Sequence, residues 1–177
     1  MALMARALKP YAELHDLVIV LVQYRKRGWN DEADPDPVKD ARWALGTLAD
    51  AHPGLPIAIV GHSMGGRTAC RVADDDAVVG VIALAPWLPR GEPNDRVADK
   101  VLHVVHGTRD TWTSARWSKD FVTRSQGLAE RATWTSMPGA GHFMLRRVRR
   151  WNHFVEESVS DILGLADAEE ASTEGTP

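Results

Sequence analysis

The stretch Ile57-Ala58-Ile59-Val60-Gly61-His62-Ser63-Met64-Gly65-Gly66 decides how this chain is to be read. Ile57 to Val60 are apolar with no polar alternation, the pattern of a short strand buried on both faces of a parallel sheet. Arg67-Thr68-Ala69-Cys70-Arg71-Val72-Ala73 follows without a helix breaker and places Ala69, Val72 and Ala73 on one helical face. Ser63 therefore sits on a strand-to-helix turn, tight enough that Gly61 and Gly65 are expected where side chains would collide. A G-x-S-x-G alone arises often by chance. One that ends a strand and opens a helix is far more specific.

Upstream, Met4, Ala7, Leu8, Tyr11 and Leu14 recur at helical spacing, with Pro10 marking a kink or a restart. Leu17 to Val22 is an unbroken aliphatic run, which predicts another buried parallel strand. Asp31 to Pro37 is an acidic, proline-punctuated loop, with Asp36 as N-cap and Pro37 at the first helical position. Val38, Ala41, Leu45 and Leu48 form an apolar stripe that ends at Pro53-Gly54. Downstream, Ala77 to Ala85, Val101 to His106 and Arg131 to Met137 read as strands, and Ala115 to Ser125 as a helix. Leu145, Val148, Asn152, Val155, Val159 and Ile162 line one face of a long terminal helix. The expected domain is 1–163, followed by a disordered acidic tail over 164–177. Strands alternating with helices predict an α/β fold, a parallel sheet with right-handed crossovers.

Composition narrows the function classes. A chain of 177 residues is one domain. Its net charge of −3 gives no reason to expect nucleic acid or an anionic membrane as partner. The single cysteine, Cys70, has no internal disulfide partner and falls on the helix after Ser63, where a buried thiol is expected. The N-terminus lacks a signal-peptide core and no apolar run is long enough to span a bilayer, so a cytoplasmic chain is expected.

In an open parallel sheet, ligands bind beyond the carboxyl ends of the strands. Three polar residues leave three such ends here, in the order Ser63, Asp110, His142. A serine hydroxyl is a poor nucleophile until a histidine within hydrogen-bond reach takes its proton. A carboxylate behind that histidine fixes its tautomer and stabilises the imidazolium. The stretch between Ser63 and Asp110 holds one helix, one strand and a loop, with no room for an inserted cap.

The motifs GHSMGG, HGTRD and GAGHFM, each after an expected strand, resemble the α/β-hydrolase family from about Leu17 to Ile162. The run QYRKRGWN, the segment ALAPWLP and the lack of a cap are most similar to small bacterial hydrolases of the dienelactone-hydrolase or serine-aminopeptidase type. The resemblance implies a three-layer α/β/α sandwich and a serine hydrolase acting on small esters or acyl compounds. It implies Ser63 as nucleophile, Asp110 as acid, His142 as base, and the backbone N–H of Met64 as one oxyanion donor. Trp87 and Phe143 are candidates to line an acyl pocket, with packing as the rival role. Neither cofactor nor metal is called for: His103 and His106, at odd separation on a strand, point to opposite faces. Arg146-Arg147-Val148-Arg149-Arg150 reads as the solvated side of the last helix rather than a nucleic-acid patch.

One part of the family pattern has no counterpart. The second oxyanion donor comes from a loop after the third strand, usually marked His-Gly, and Leu17 to Val22 already corresponds to the fourth. The expectation is a hydrolase lacking its first strands, with translation beginning upstream of Met1 and a vacant position between Leu17–Val22 and Ile57–Gly61. The rival is direct pairing of those two strands. Losing one donor costs about 10²–10³ in rate. The alternative function is accordingly a hydrolase-fold binding protein with little or no catalysis; acyl transfer or perhydrolysis through the same acyl-enzyme is a third.

Overall fold

The computed structural model describes residues 1–165. In chain order the helices are α1 (Ala2–Ala7), α2 (Lys9–Leu14), α3 (Asp36–Ala51), α4 (Met64–Arg71), α5 (Ala115–Ser125) and α6 (Val148–Leu163). The strands are β1 (Ile57–His62), β2 (Val78–Leu84), β3 (Val101–Gly107) and β4 (Arg131–Met137). They form one sheet in the order β1-β2-β3-β4, every pair parallel. Parallel neighbours need crossovers. α4 joins β1 to β2 and α5 joins β3 to β4, while a loop with a 3₁₀ turn at Asp95–Val97 joins β2 to β3.

The pleat divides each strand between two cores. Val81 and Ala83 of β2, with Leu102 and Val104 of β3, meet Ala69, Cys70 and Ala73 from the α4 segment and Phe121 and Val122 of α5. Ile82, Leu84, Val101 and Val105 meet Trp151, Val155 and Ile162 of α6, together with Met4 and Leu8. α3 lies behind α4, its Leu45 packed with Val72 and Val78. The result is a three-layer α/β/α sandwich with a parallel sheet, as the apolar runs predict. Burying a side chain such as Phe121, fully enclosed here, contributes roughly 1.5–3 kcal/mol.

The predicted strand Leu17 to Val22 does not form: residues 17–24 carry no regular secondary structure. Val18 and Leu21 are 70% and 54% exposed. A strand exists only where a neighbour pairs its backbone N–H and C=O groups. The run instead faces β1 across an apolar cavity of about 660 Å³ that extends to His62 and Ser63. β1 has β2 on one side and, among the described residues, no strand on the other. Val20 and Ile59 are not on directly bonded strands, so the rival expectation of direct pairing fails.

Smaller differences have local causes. Pro10 marks a restart, since α1 ends at Ala7 and α2 begins at Lys9. α3 opens at Asp36 with Pro35 as N-cap, because the Asp36 carboxylate is engaged by Asn30 and Lys26 rather than by the helix's own N–H groups. The buried stripe of α6 runs through Trp151, Val155, Ser158 and Ile162, whereas Leu145 precedes the helix and is exposed. The expected tail lies, beyond Leu165, outside the described residues. Among the described residues no helix is long and apolar enough to cross a membrane.

Candidate active site

The elbow is built by close approach of backbone to backbone. Ser63 holds φ 55° and ψ −117°, a conformation that side-chain-bearing residues rarely adopt and that marks a functional constraint. A Cβ on Gly61 would lie 2.2 Å from the Gly65 carbonyl oxygen, and one on Gly66 2.8 Å from Pro86 Cβ. Gly65 itself is not crowded, since an added Cβ there meets only Tyr24 Oη at 3.7 Å. Gly66, not Gly65, is thus the second glycine that sterics demand. Gly61→Ala is expected to cost about 3 kcal/mol, the upper range for overpacking, in thermal unfolding. Gly46→Ala in α3, with nothing within 4 Å of the new methyl, should instead stabilise by about 0.5–1 kcal/mol.

Ser63 is locked by its main chain as well. Its N–H donates to the Leu84 carbonyl at 3.0 Å, and its carbonyl accepts from Gly66, Arg67 and Trp87. Asp110 leaves β3 through Gly107-Thr108-Arg109, and His142 lies in the loop after β4. The two loops are tied together: Arg109 N–H donates to Ala140 O at 2.9 Å and Gly139 N–H to Thr108 Oγ1 at 2.9 Å. The structure brings the three predicted residues together, with His142 Nε2 3.0 Å from Ser63 Oγ and His142 Nδ1 2.9 Å from Asp110 Oδ2. Asp74, a carboxylate just beyond the far end of α4, is held away from the site by Arg42 and Arg96.

The Asp110 side chain is fully buried, and burial alone would push its pKa up. The Thr113 N–H, His142, the Trp112 N–H and the Thr113 hydroxyl more than offset this and hold it at about 2. Those donors sit close: Trp112 N–H at 2.8 Å and Thr113 N–H at 3.0 Å on Oδ1, Thr113 Oγ1 at 2.9 Å on Oδ2. The N–H of Met64, first residue of α4, is among the helix donors that have no intrahelical acceptor. It also stands at the positive end of the helix dipole.

Phe143 flanks His142, ring centroids 5.3 Å apart, and is 57% exposed. Trp112, which the sequence did not single out above its neighbours, stacks over His142 at 15° and meets the Phe143 ring edge-on at 5.1 Å. Trp87 is beside the elbow, but its ring lies 4.7 Å over the Arg67 guanidinium and edge-on to Trp29. Packing therefore accounts for Trp87. Arg67 itself is almost wholly buried, paired with Glu92 Oε2 at 2.9 Å and with Glu32. His62 was not anticipated as part of the site: its Nε2–H donates to the His142 carbonyl at 2.8 Å, and burial pushes its pKa down so that it stays neutral. Cys70 is inert here, buried with its thiol pushed up to about 12. His103 and His106 do face opposite layers, toward Asp161 of α6 and Ser118 of α5.

The fold is shared by solved structures of low sequence identity. An α/β serine hydrolase homologue from Coxiella burnetii superimposes with TM-score 0.63 at 20% identity, covering 76% of this chain and 64% of its own. An uncharacterised Bacillus cereus protein gives 0.71 at 19%, covering 91% and 56%. An α/β hydrolase enzyme from a Medee basin deep-sea metagenome library gives 0.63 at 20%, covering 80% and 70%. The chain thus spans less than two thirds of the first two structures' length. No curated protein matches the sequence. The family model described as an alpha/beta hydrolase domain matches residues 22–163, most of the chain and all of its sheet, and the protein belongs to the α/β-hydrolase family.

Proposed function

We propose that the protein is a serine hydrolase that cleaves small carboxylic esters or related acyl compounds through an acyl-enzyme. The observation that carries this is the unbroken line from Ser63 Oγ through His142 to Asp110, at 3.0 Å and 2.9 Å. His142, neutral at Nε2, takes the Ser63 proton as Oγ attacks the acyl carbon. The Met64 N–H stabilises the oxyanion, and His142 returns its proton to the leaving alcohol. Trp112 and Phe143 border His142 on one side, and this apolar edge suits an apolar substrate group. Water then repeats the cycle on the acyl-enzyme. Composition and the single buried cysteine fit a cytoplasmic enzyme.

A second reading is favoured by one observation. Among the described residues no strand pairs with the side of β1 from which a second oxyanion donor would come, which suits a hydrolase-fold binding protein with weak chemistry. Treatment with a fluorophosphonate, followed by peptide mapping, and turnover of a short-chain p-nitrophenyl ester separate the two. Labelling at Ser63 with turnover supports the enzyme; an unlabelled, folded protein supports the binder.

The pH profile follows from the carboxylate. With Asp110 held at about 2, its ionised form stabilises the fold above the unfolded carboxyl value of about 4. That contribution declines as pH falls below about 4 and is gone once pH has passed through about 2. Asp110 therefore stays charged across the range of about pH 5–8 in which histidines ordinarily titrate. The acid limb of kcat/KM should show a one-proton slope. A two-proton slope would mean that acid and base titrate together.

A further inference from the structure

Two imidazoles approach the carboxylate of Asp110, and the mechanism above uses one. The other belongs to His106, near the end of β3, which is fully buried. Its Nε2 lies 3.2 Å from Asp110 Oδ2 and 3.3 Å from Thr113 Oγ1. Its Nδ1 lies 2.9 Å from Ser118 Oγ. Ser118 Oγ accepts from the Trp134 indole N–H at 3.1 Å and is also 3.0 Å from the Ala115 carbonyl.

The protons can be assigned. Burial pushes the pKa of His106 down, against the pull of the Asp110 charge, so the ring is neutral and carries one N–H. A bare Nε2 lone pair at 3.2 Å from a carboxylate oxygen would be repelled, so the proton is on Nε2. Nδ1 is then an acceptor and takes the Ser118 hydroxyl proton in preference to the Ala115 carbonyl. The indole, which can only donate, fills the acceptor side of Ser118. Donors run in one direction, from Trp134 to Ser118 to His106, whose Nε2–H meets Thr113 Oγ1 at 3.3 Å with Asp110 Oδ2 3.2 Å away, and the Thr113 hydroxyl donates in turn to Asp110.

We propose that His106 is a positioning residue of the active site. With Thr113 it holds Oδ2 of Asp110 in the orientation that His142 Nδ1 requires, and it partly compensates the carboxylate's charge. The proposal rests on the Ser63–His142–Asp110 reading. A histidine satisfied in the core by Ser118 alone is the competing account. Against it, Ser118 occupies only Nδ1, while Nε2 is turned toward Thr113 and Asp110. A buried polar ring is costly unless both nitrogens find partners. Here the second partner is Thr113, whose hydroxyl donates to the acid, with the acid's Oδ2 itself 3.2 Å from Nε2.

The test compares His106→Leu, which removes both nitrogens, with His106→Gln, whose amide N–H can reach Asp110. Leu should lower kcat about 10–100-fold, the range for outer-shell partners of a reactive group, with KM nearly unchanged. Gln should recover most of the loss. With one donor gone, Asp110 holds the His142 imidazolium more tightly. The acid limb, and the His142 imidazole titration followed by NMR, should move to higher pH in Leu and not in Gln. The titratable groups facing this pair are Asp110 after β3 and His62 on β1, and both are left intact. Should His106→Leu fail to fold, His106→Asn replaces it, since its shorter amide reaches Ser118 but not Asp110. A folded Leu or Asn variant with parental kcat and an unmoved titration overturns the proposal, as does Gln behaving like Leu. If the parent neither turns over ester nor takes the fluorophosphonate, the hydrolase reading falls, while the NMR titration still decides the coupling.

Discussion

Ser63→Ala should lower kcat on a short-chain p-nitrophenyl ester by about 10⁶-fold, to the level of a protein with the fold but no nucleophile. It should also end fluorophosphonate labelling. The expectation is clean because the γ-oxygen is the only atom removed. The hydrogen bonds that hold the elbow belong to the Ser63 backbone: N–H to Leu84, and the carbonyl to Gly66, Arg67 and Trp87. Alanine retains all of them, and the thermal midpoint should stay near that of the parent. Equal turnover in the alanine protein, or a label found elsewhere, would remove Ser63 from the chemistry.

Asp110→Asn should cost about 10⁴ in kcat while leaving the fold intact. The amide oxygen can still accept the Trp112 and Thr113 N–H groups that the carboxylate Oδ1 accepts now. The amide NH₂ then faces His142 Nδ1 and can only donate to it. His142 is thereby forced to carry its proton on Nε2, against the Ser63 hydroxyl, where a lone pair is needed. Circular dichroism like that of the parent, with kcat collapsed, is the expected outcome. Near-normal kcat would mean that another carboxylate orients the base.

How much of this was legible in the sequence depends on whether a feature is local. β4 and α5 have the bounds read from the chain, β2 is a residue shorter at each end and β3 a residue longer at one, because their apolar periods and stop signals lie within the segments themselves. The three predicted site residues were legible for the same reason, each marked by a strand end and a turn. Leu17 to Val22 misled because apolar content shows that a segment could enter a sheet, not that a partner stands ready beside it. Thr113, His62 and His106 were illegible beside the site: His62 meets the His142 carbonyl only through the fold, and Thr113 and His106, though close to Asp110 in sequence, face it only once the turn after β3 closes. Arg67 carries no mark in the expected helical run 67–73 that sets it apart. Its burial between Trp29 and Trp87, with Glu92 beneath it, depends on three segments meeting.

Among the described residues β1 has no strand paired on its outer side, and this limits how two sheets can meet edge to edge. The sheet has two unlike borders: β1, apolar and fronted by the aliphatic residues 17–22, and β4, which alternates Thr133, Thr135 and Arg131 with partly exposed neighbours. Two copies joined through β1 alone must be related by a two-fold axis, which sets their strands antiparallel and uses up both borders at once. Growth into a ribbon would require β1 of one copy to receive β4 of the next in parallel register. The polar, arginine-bearing β4 is poorly suited to that role. The geometry of this border thus admits a closed pair and disfavours a filament.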